Sequence, residues 1–442
     1  MVDEPSGRAE ARHSTLTDPR GRAEARPSEA SKATTVYFVA GERSGDNHGA
    51  ALLKALRARA PEMRFVGRGG PKMRAVAGGK LRDWIDYTAV VGLWEVIRRY
   101  PYFRKQFQAT ISEIDAAQPS AVVLIDYPGF NLRLARALRA KFPELKIIYY
   151  ISPQVWAWNR RRVSQMAQSI DLMLCIFPFE PELYETSCLR AIFVGHPMMS
   201  VIPSPSSIIA SENASPSRTE GSRDEISKPT STGLITASRT DVSARDENLV
   251  GLFPGSRERE VKKIFPIMRK AAVELSHQDH DLRFVVSAAS EPLGELIRAN
   301  LYGKHATGKF SIVTGDARSV MARVNVGMVA SGTATLEAAL LQLPFVLIYR
   351  VAWLTYLAAR LVVKVKYLGM PNVLANREIV PEFIQHKAEP RAIAAAVARL
   401  LADKTERGRM LADFANVAQK LGRGEASANA AEAIVTELRH AG

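Results

Sequence analysis

The chain has 442 residues, 47% of them hydrophobic, a formal net charge of +15 and only two cysteines. That length allows two domains with full cores, and no apolar run reaches the ~18–20 residues of a membrane span. With no apolar leader stretch, and with Cys175 and Cys188 too few for a disulfide framework, the expected residence is cytoplasmic.

Residues 1–33 hold six basic and six acidic side chains, and Gly7-Arg-Ala-Glu-Ala-Arg12 returns as Gly21-Arg-Ala-Glu-Ala-Arg26. Such a polar repeat has no core to bury and predicts a disordered tail. From residue 34 to about 202, short apolar runs alternate with helical spacers. Thr35–Ala40 is the first expected strand, and the turn Gly41–His48 leads into a helix from Gly49. Further strands are expected at 121–125, 146–151 and 172–177, ending at Asp126, Ser152 and Pro178. Buried β-branched strands with helical crossovers imply a parallel sheet covered on both faces. Ligands gather at the C-terminal ends of such strands, where all four polar turns lie.

Residues 203–247 are rich in Ser, Thr and Pro, with five basic and seven acidic side chains, and read as a flexible linker or insertion. The strand and helix alternation then resumes: strands at 249–253, 283–288, 310–313, 326–330 and 345–349, with helices at about 258–275, 292–301 and 333–342. The second unit is expected over 248–420, closed by a C-terminal helix over 421–442. The fold class expected is α/β, with two Rossmann-like doubly wound domains facing a cleft. Since tail and insertion carry no excess of positive charge, the whole +15 rests on these two units. Such a body expects an anionic partner. The sequence has no zinc finger, helix-turn-helix or aromatic RNA-binding strand, so nucleic acid gives way to acidic lipid or sugar phosphate.

Two turns in the second unit specify the chemistry further. Gly251-Leu-Phe-Pro-Gly-Ser-Arg-Glu-Arg-Glu260 and Ala330-Ser-Gly-Thr-Ala-Thr-Leu-Glu337 each run from an apolar strand through small residues into a helix start. Backbone N–H groups and the helix dipole favour phosphate there. Arg257 adds a planar fork for a diphosphate, with an ion pair to Glu260 as its alternative use, and Glu337 suits ribose hydroxyls. A nucleotide-diphosphate site is the expectation.

Together with Ala40-Gly-Glu-Arg-Ser-Gly-Asp46, Asp126-Tyr-Pro-Gly-Phe-Asn131, Ile151-Ser-Pro-Gln-Val-Trp-Ala-Trp158, Val194-Gly-His-Pro197 and Leu368-Gly-Met-Pro-Asn372, these turns resemble lipid A disaccharide synthases, glycosyltransferases of the two-Rossmann (GT-B) class. The resemblance covers roughly 34–202 and 248–435; the tail and the insertion exceed the family core without touching a motif. It implies an inverting transfer from UDP-2,3-diacylglucosamine to 2,3-diacylglucosamine 1-phosphate, giving a β-1,6 disaccharide and UDP, with no cofactor. An enzyme on the cytoplasmic face of a Gram-negative inner membrane would follow, with a homodimer as one possible assembly.

Such a transfer needs a base for the acceptor hydroxyl and positive charge or dipoles for the leaving diphosphate. Asp126 ends a buried strand at the cleft face and is the base expected both on position and by resemblance; Glu42 is a second carboxylate for orienting substrate, or a helix-start charge. Gly255, Ser256, Arg257, Ser331, Gly332 and Thr333 are expected on the phosphates and Glu337 on the ribose; Asn372 joins them by resemblance. On the acceptor or membrane side stand Ser44, Trp94 and Trp156, the last equally suited, with Trp158, to anchoring the cleft wall. His48 and His196 read as capping or packing histidines, and Asp279-His-Asp281 as a coincidental D-x-D string, so no metal site is expected.

Substrates with acyl chains require a membrane surface. The segments 90–105 and 353–366 mix aromatic, aliphatic and basic residues in a way that suits interfacial helices on anionic lipid; packing on their own sheet, or a subunit contact for the second, is the alternative. Other readings differ at named residues. A peptidoglycan N-acetylglucosamine transferase would carry a G-G-T-G-G-H first turn, absent here. A UDP-sugar epimerase could draw on Glu42, Asp126 and His196, and a nucleotide-sugar sensor would need Arg257 but no base.

Overall fold

In the computed structural model, residues 34–85, 100–158, 162–202, 245–301, 309–351 and 365–439 are described. The tail 1–33, most of the insertion, Trp94 and most of both expected interfacial segments lie outside them.

Two all-parallel sheets account for the strands. The first comprises β1 (Thr35–Ala40), β2 (Arg64–Gly69), β3 (Leu81–Asp83), β4 (Ala121–Ile125), β5 (Lys146–Tyr150), β6 (Leu172–Cys175) and β7 (Arg190–Phe193), in the order β3-β2-β1-β4-β5-β6-β7. The second comprises β8 (Asp246–Phe253), β9 (Arg283–Ala288), β10 (Phe310–Thr314), β11 (Val324–Ala330), β12 (Phe345–Tyr349) and β13 (Glu382–Ile384), in the order β10-β9-β8-β11-β12-β13. The order reverses beside β1 in one sheet and beside β8 in the other, which are the switch points where α/β sheets bind ligands.

The expected strands were visible because β1, β4 and β11 are buried along nearly their whole length, as parallel strands covered on both faces must be. β2, β3, β7 and β13 were missed: Arg-Phe-Val-Gly-Arg-Gly in β2 reads as polar, and β3 and β13 have three residues each. In β2 the charge is internal. Arg68 is fully buried, with Nε and Nη2 donating to Glu113 at 2.8 and 2.6 Å and Nη1 to Gln106 at 2.5 Å.

Helices cover both faces. α1 (Arg43–Arg59) buries Leu52, Leu53 and Leu56 on the first sheet, and α2 (Tyr100–Ala117) carries Glu113. α3 (Pro128–Lys141) follows β4, and α4 (Glu180–Glu185) follows β6. α5 (Glu258–Gln278) packs Val261, Ile264, Phe265, Met268, Ala272 and Leu275 on the second sheet, a helical-period stripe. The first helix therefore begins six residues before the expected Gly49, which places His48 inside α1 rather than at its start. The second sheet begins at Asp246, before the expected 249, with Arg245 donating to the carbonyls of Val324 and Leu341 at 2.7 Å each.

α6 (Thr333–Leu340) follows β11, and the last helix, α7 (Ala426–Arg439), returns to the first sheet. There Glu437 pairs with Arg190 at 2.6 Å and Lys146 at 3.4 Å, and Asn429 donates to the carbonyl of Val194 at 3.1 Å. Ile434 and Ala430 join the apolar cluster that includes Leu56 and Val194 and continues into the second sheet. Among the described residues no helix is long and apolar enough to cross a membrane.

Candidate active site

The register of the first sheet aligns three strand ends. Ala40 of β1 pairs with Ile125 of β4, which pairs with Tyr150 of β5. Glu42, Asp126 and Ser152, distant in sequence, therefore emerge on one edge.

Asp126 and Tyr127 both lie in left-handed backbone, with φ of 45° and 52°. Two consecutive non-glycine residues there are costly and persist only when neighbours hold them. The neighbours are identifiable. The carbonyl of Asp126 accepts from the Tyr149 hydroxyl at 2.6 Å and from Asn131 Nδ2 at 2.8 Å, and Asn131 also donates to Ile125 at 3.2 Å. Trp84 packs edgewise on Phe130 and Tyr127, with its indole N–H on the carbonyl of Ala40 at 2.7 Å. Trp84, Asn131 and Tyr149 were not singled out as site residues in the sequence; Asn131 had stood only as the last residue of a motif.

The carboxyls of Glu42 and Asp126 face each other closely enough for each to perturb the other's ionisation. Burial and the Asp126 charge raise the Glu42 pKa, while Arg257 from the second sheet draws it down. Burial also raises Asp126, against the backbone N–H of Tyr127 and the Glu42 carboxyl, which both favour its ionised form. Their mutual interaction therefore favours ionisation of Asp126 over Glu42, and the ionised form is the one a general base requires.

The glycine at 41 is sterically determined: a Cβ there would lie 2.2 Å from the Tyr127 ring. Gly41→Ala is expected to cost about 1–3 kcal/mol, as overpacking does, and to lower turnover by displacing the Asp126 turn. Urea unfolding of Gly41→Ala alone and with Tyr127→Ala checks it, since the second change should restore part of the loss. Asp46, the last residue of the same motif, is a structural cap. Its carboxylate accepts the backbone N–H groups of Gly70, Lys72 and Met73 at 2.9–3.0 Å. Ser44 is exposed in the first turn of α1.

Trp156 stands differently from the acceptor contact expected of it. The indole is 8% exposed, edge-on to Phe177 and Phe179, and its N–H lies 3.3 Å from Glu180 Oε1. A ring so enclosed anchors the wall, the alternative use. His196 packs on Phe177 and accepts the Met198 N–H at Nδ1, and burial lowers its pKa to about 4.

Glu180 is fully buried and accepts the Ile176 and Phe177 N–H groups at 3.1 and 3.0 Å; burial pushes its carboxyl up to about 7. A carboxyl raised on folding contributes stability that is fully present below its unfolded pKa of about 4.5 and is lost as pH rises through about 7. The loss amounts to about 3 kcal/mol. His196, whose pKa falls on folding, loses stability in the opposite direction, as pH drops below about 6.5. The difference between wild type and Glu180→Gln isolates the first effect: Gln should remove the decline between pH 5 and pH 8 in urea midpoints. Parallel curves for the two proteins would exclude Glu180 as its source.

In the second sheet, β8 and β11 pair so that Phe253 lies beside Val329, and Ala330 beside Ile348 of β12. The turns Gly255–Arg257 and Ser331–Thr333 thus share an edge with Tyr349. Gly255 and Gly332 take φ of 110° and 140°, which only glycine adopts readily. Gly332 caps α6, whose first residue is Thr333, and Ser256, Gly332 and Thr333 are exposed. Arg257 caps α5 and is 73% exposed, with Nη1 3.2 Å from Glu260 Oε1. Its ion-pair alternative is thus realised, yet so exposed a pair is weak and readily exchanged for a diphosphate. Glu337 accepts from Arg318 Nε and Nη2 at Oε1, at 3.1 and 2.7 Å.

Asn372 corrects the expectation of a phosphate contact. It is fully buried; Nδ2 donates to Val380 O and Glu382 Oε1, and Oδ1 accepts from the N–H groups of Ile379 and Val380, all at 2.8–2.9 Å. A side chain so satisfied holds the approach to β13 and has no donor left for a ligand. Asp279 ends α5 and accepts the Asp281 N–H at 2.9 Å, an ordinary helix-exit turn.

Two parallel sheets, with a carboxyl pair at one switch point and phosphate-type turns at the other, define the GT-B-like class of α/β proteins. Solved structures agree on the fold: a putative UDP-N-acetylglucosamine 2-epimerase from Listeria monocytogenes (TM-score 0.58, 12% identity, 92% of this chain and 97% of that one) and the glycosyltransferase of kitacinnamycin (TM-score 0.54, 14% identity, 92% and 100%). In sequence, the family profile described as lipid-A-disaccharide synthetase matches residues 36–219 and 225–436. Lipid-A-disaccharide synthase 1 of Legionella pneumophila (strain Paris) is 36% identical over 406 residues, 92% of this chain and 98% of that protein. The lipid-A-disaccharide synthase of Myxococcus xanthus is 35% identical over 403 residues, 91% and 97%. The chain belongs to the lipid-A-disaccharide synthetase family of glycosyltransferases.

Proposed function

We propose that this protein joins the sugar of UDP-2,3-diacylglucosamine to 2,3-diacylglucosamine 1-phosphate with inversion, forming the β-1,6 disaccharide 1-phosphate and UDP at an anionic membrane surface. The observation that carries the reading is the mutually interacting Glu42–Asp126 carboxyl pair, within the electrostatic reach of Arg257. Asp126 accepts the proton of the acceptor 6-hydroxyl as its oxygen attacks the anomeric carbon, and the bond to the diphosphate breaks. Glu42 keeps its proton and holds Asp126 in place. Arg257 and the backbone donors of Gly255, Ser256, Ser331, Gly332 and Thr333 receive the leaving diphosphate. Glu337 takes the ribose hydroxyls with the carboxylate oxygen not used by Arg318. In this assignment the first unit, 34–202, faces acceptor and membrane, and the second, 248–420, binds the UDP-sugar.

The test is UDP release by purified protein with each substrate left out in turn. Release only with both present, accompanied by a disaccharide phosphate, is expected. Release without acceptor would replace the reading with a hydrolysing epimerase, and binding of UDP without release would replace it with a sensor.

A further inference from the structure

Beyond the cleft, one concave surface of the second sheet carries charge that no step above uses. A cavity of about 390 Å³ lies between α5, the exit of β12 and Pro390, lined by Lys262, Lys263, Lys270 and Arg350 with Pro266, Ile267, Val351 and Pro390. Among the described residues no carboxylate lines it. Lys262 pairs with Glu258 at 2.6 Å, but both side chains are more than half exposed, so the pair is weak. Lys263, Lys270 and Arg350 are exposed and form no ion pair among the described residues.

Four cations facing one hollow repel each other and are stabilised by an anion placed among them. Position says more about which anion. Lys262 lies five residues along α5 from Arg257 and Lys270 thirteen, roughly 7 and 20 Å at the helical rise. The charged face therefore starts one turn beyond the diphosphate turn and runs outward. Its apolar lining suits a ligand with hydrocarbon next to its charge, which a free inorganic anion lacks. The chain also leaves this cavity at Val351 into 352–364, whose sequence contains Trp353, Tyr356, Arg360 and Lys364 among aliphatic residues, the composition of a membrane-surface segment.

We propose that this cavity binds the phosphate headgroup of an anionic membrane phospholipid, docking the donor-side unit on the bilayer beside the diphosphate turn. The proposal rests on the reading that the protein works at a membrane, and adds where the second unit touches it.

The experiment is sedimentation of the full chain with vesicles of pure phosphatidylcholine and of equimolar phosphatidylcholine and phosphatidylglycerol. It compares wild type, Lys263→Gln/Lys270→Gln/Arg350→Gln, and the equally charged control Arg64→Gln/Lys404→Gln/Arg409→Gln. With each basic group near an anionic surface worth ~1 kcal/mol, the cavity variant should bind the anionic vesicles on the order of 100-fold more weakly than wild type. The control should lose far less, and all three proteins should bind UDP equally. Equal losses in the two variants would overturn the site while leaving membrane attachment intact. Weaker UDP binding in the cavity variant would overturn it in favour of an extension of the diphosphate site. Competition by millimolar inorganic pyrophosphate against vesicles at unchanged ionic strength would overturn the lipid in favour of a soluble anion. Wild type that ignores the anionic vesicles would instead sink the membrane reading itself.

Discussion

Asp126→Asn is expected to retain UDP binding and to lose turnover by ~10²–10⁴-fold, the range that removal of a general base produces. The amide keeps the shape of the turn, because the groups that hold it, Tyr149 and Asn131, bond to the backbone carbonyl at 126 and not to its side chain. Binding and chemistry should therefore separate. The pH profile gives a second readout. Burial raises the Asp126 pKa, and a base must be ionised, so kcat/KM should begin to fall on the acid side at a pH above the ordinary aspartate range. Glu42→Gln, which removes the coupled carboxyl but can still donate to Asp126, should alter that limb more than it alters UDP affinity. Undiminished turnover by Asp126→Asn would remove the residue from the mechanism.

Arg257→Ala should weaken UDP binding by about 10- to 150-fold, the equivalent of ~1.5–3 kcal/mol for a charge-assisted contact. The fold itself should tolerate the change, since the side chain is 73% exposed and the ion pair it forms among the described residues is to Glu260 within the same helix turn. Arg257→Lys should recover only part of the affinity, because an ammonium cannot grip a diphosphate with two parallel donors. Isothermal titration with UDP, beside an unchanged thermal unfolding midpoint, distinguishes this from general damage. Unaltered UDP affinity in Arg257→Ala would dismantle the clamp. The same substitution should also raise the Glu42 pKa further, since Arg257 is the charge that lowers it.

Much of the architecture was legible in the residues. Strands such as Val36–Ala40 and Val122–Ile125 are continuous apolar runs because both faces of a parallel sheet are covered, and each breaks abruptly at a turn. The positions of Asp126, Arg257 and the glycines at 255 and 332 followed, because a turn at a strand's C-terminal end is where such sheets meet ligands. What periodicity reports is whether a residue is buried; it does not report against what. Short or charged strands such as β2 escaped for that reason, since Arg68 is buried only because Glu113, 45 residues away, satisfies it.

The same limit separates the two kinds of knowledge about the site. The sequence by itself determined the alternation of strand and helix, the two phosphate-type turns and the two carboxyls, since these depend on local pattern and residue chemistry. Only the tertiary structure decided which side chains remain available. Asn372 is saturated by the loop before β13, Trp156 is enclosed by Phe177, Phe179 and Glu180, and the last helix returns to the first sheet through Glu437. It likewise placed Glu42 against Asp126, although 84 positions separate them. Hydrogen-bonding capacity and pKa are set by neighbours in space, which folding brings from distant parts of the chain, and no local pattern records them.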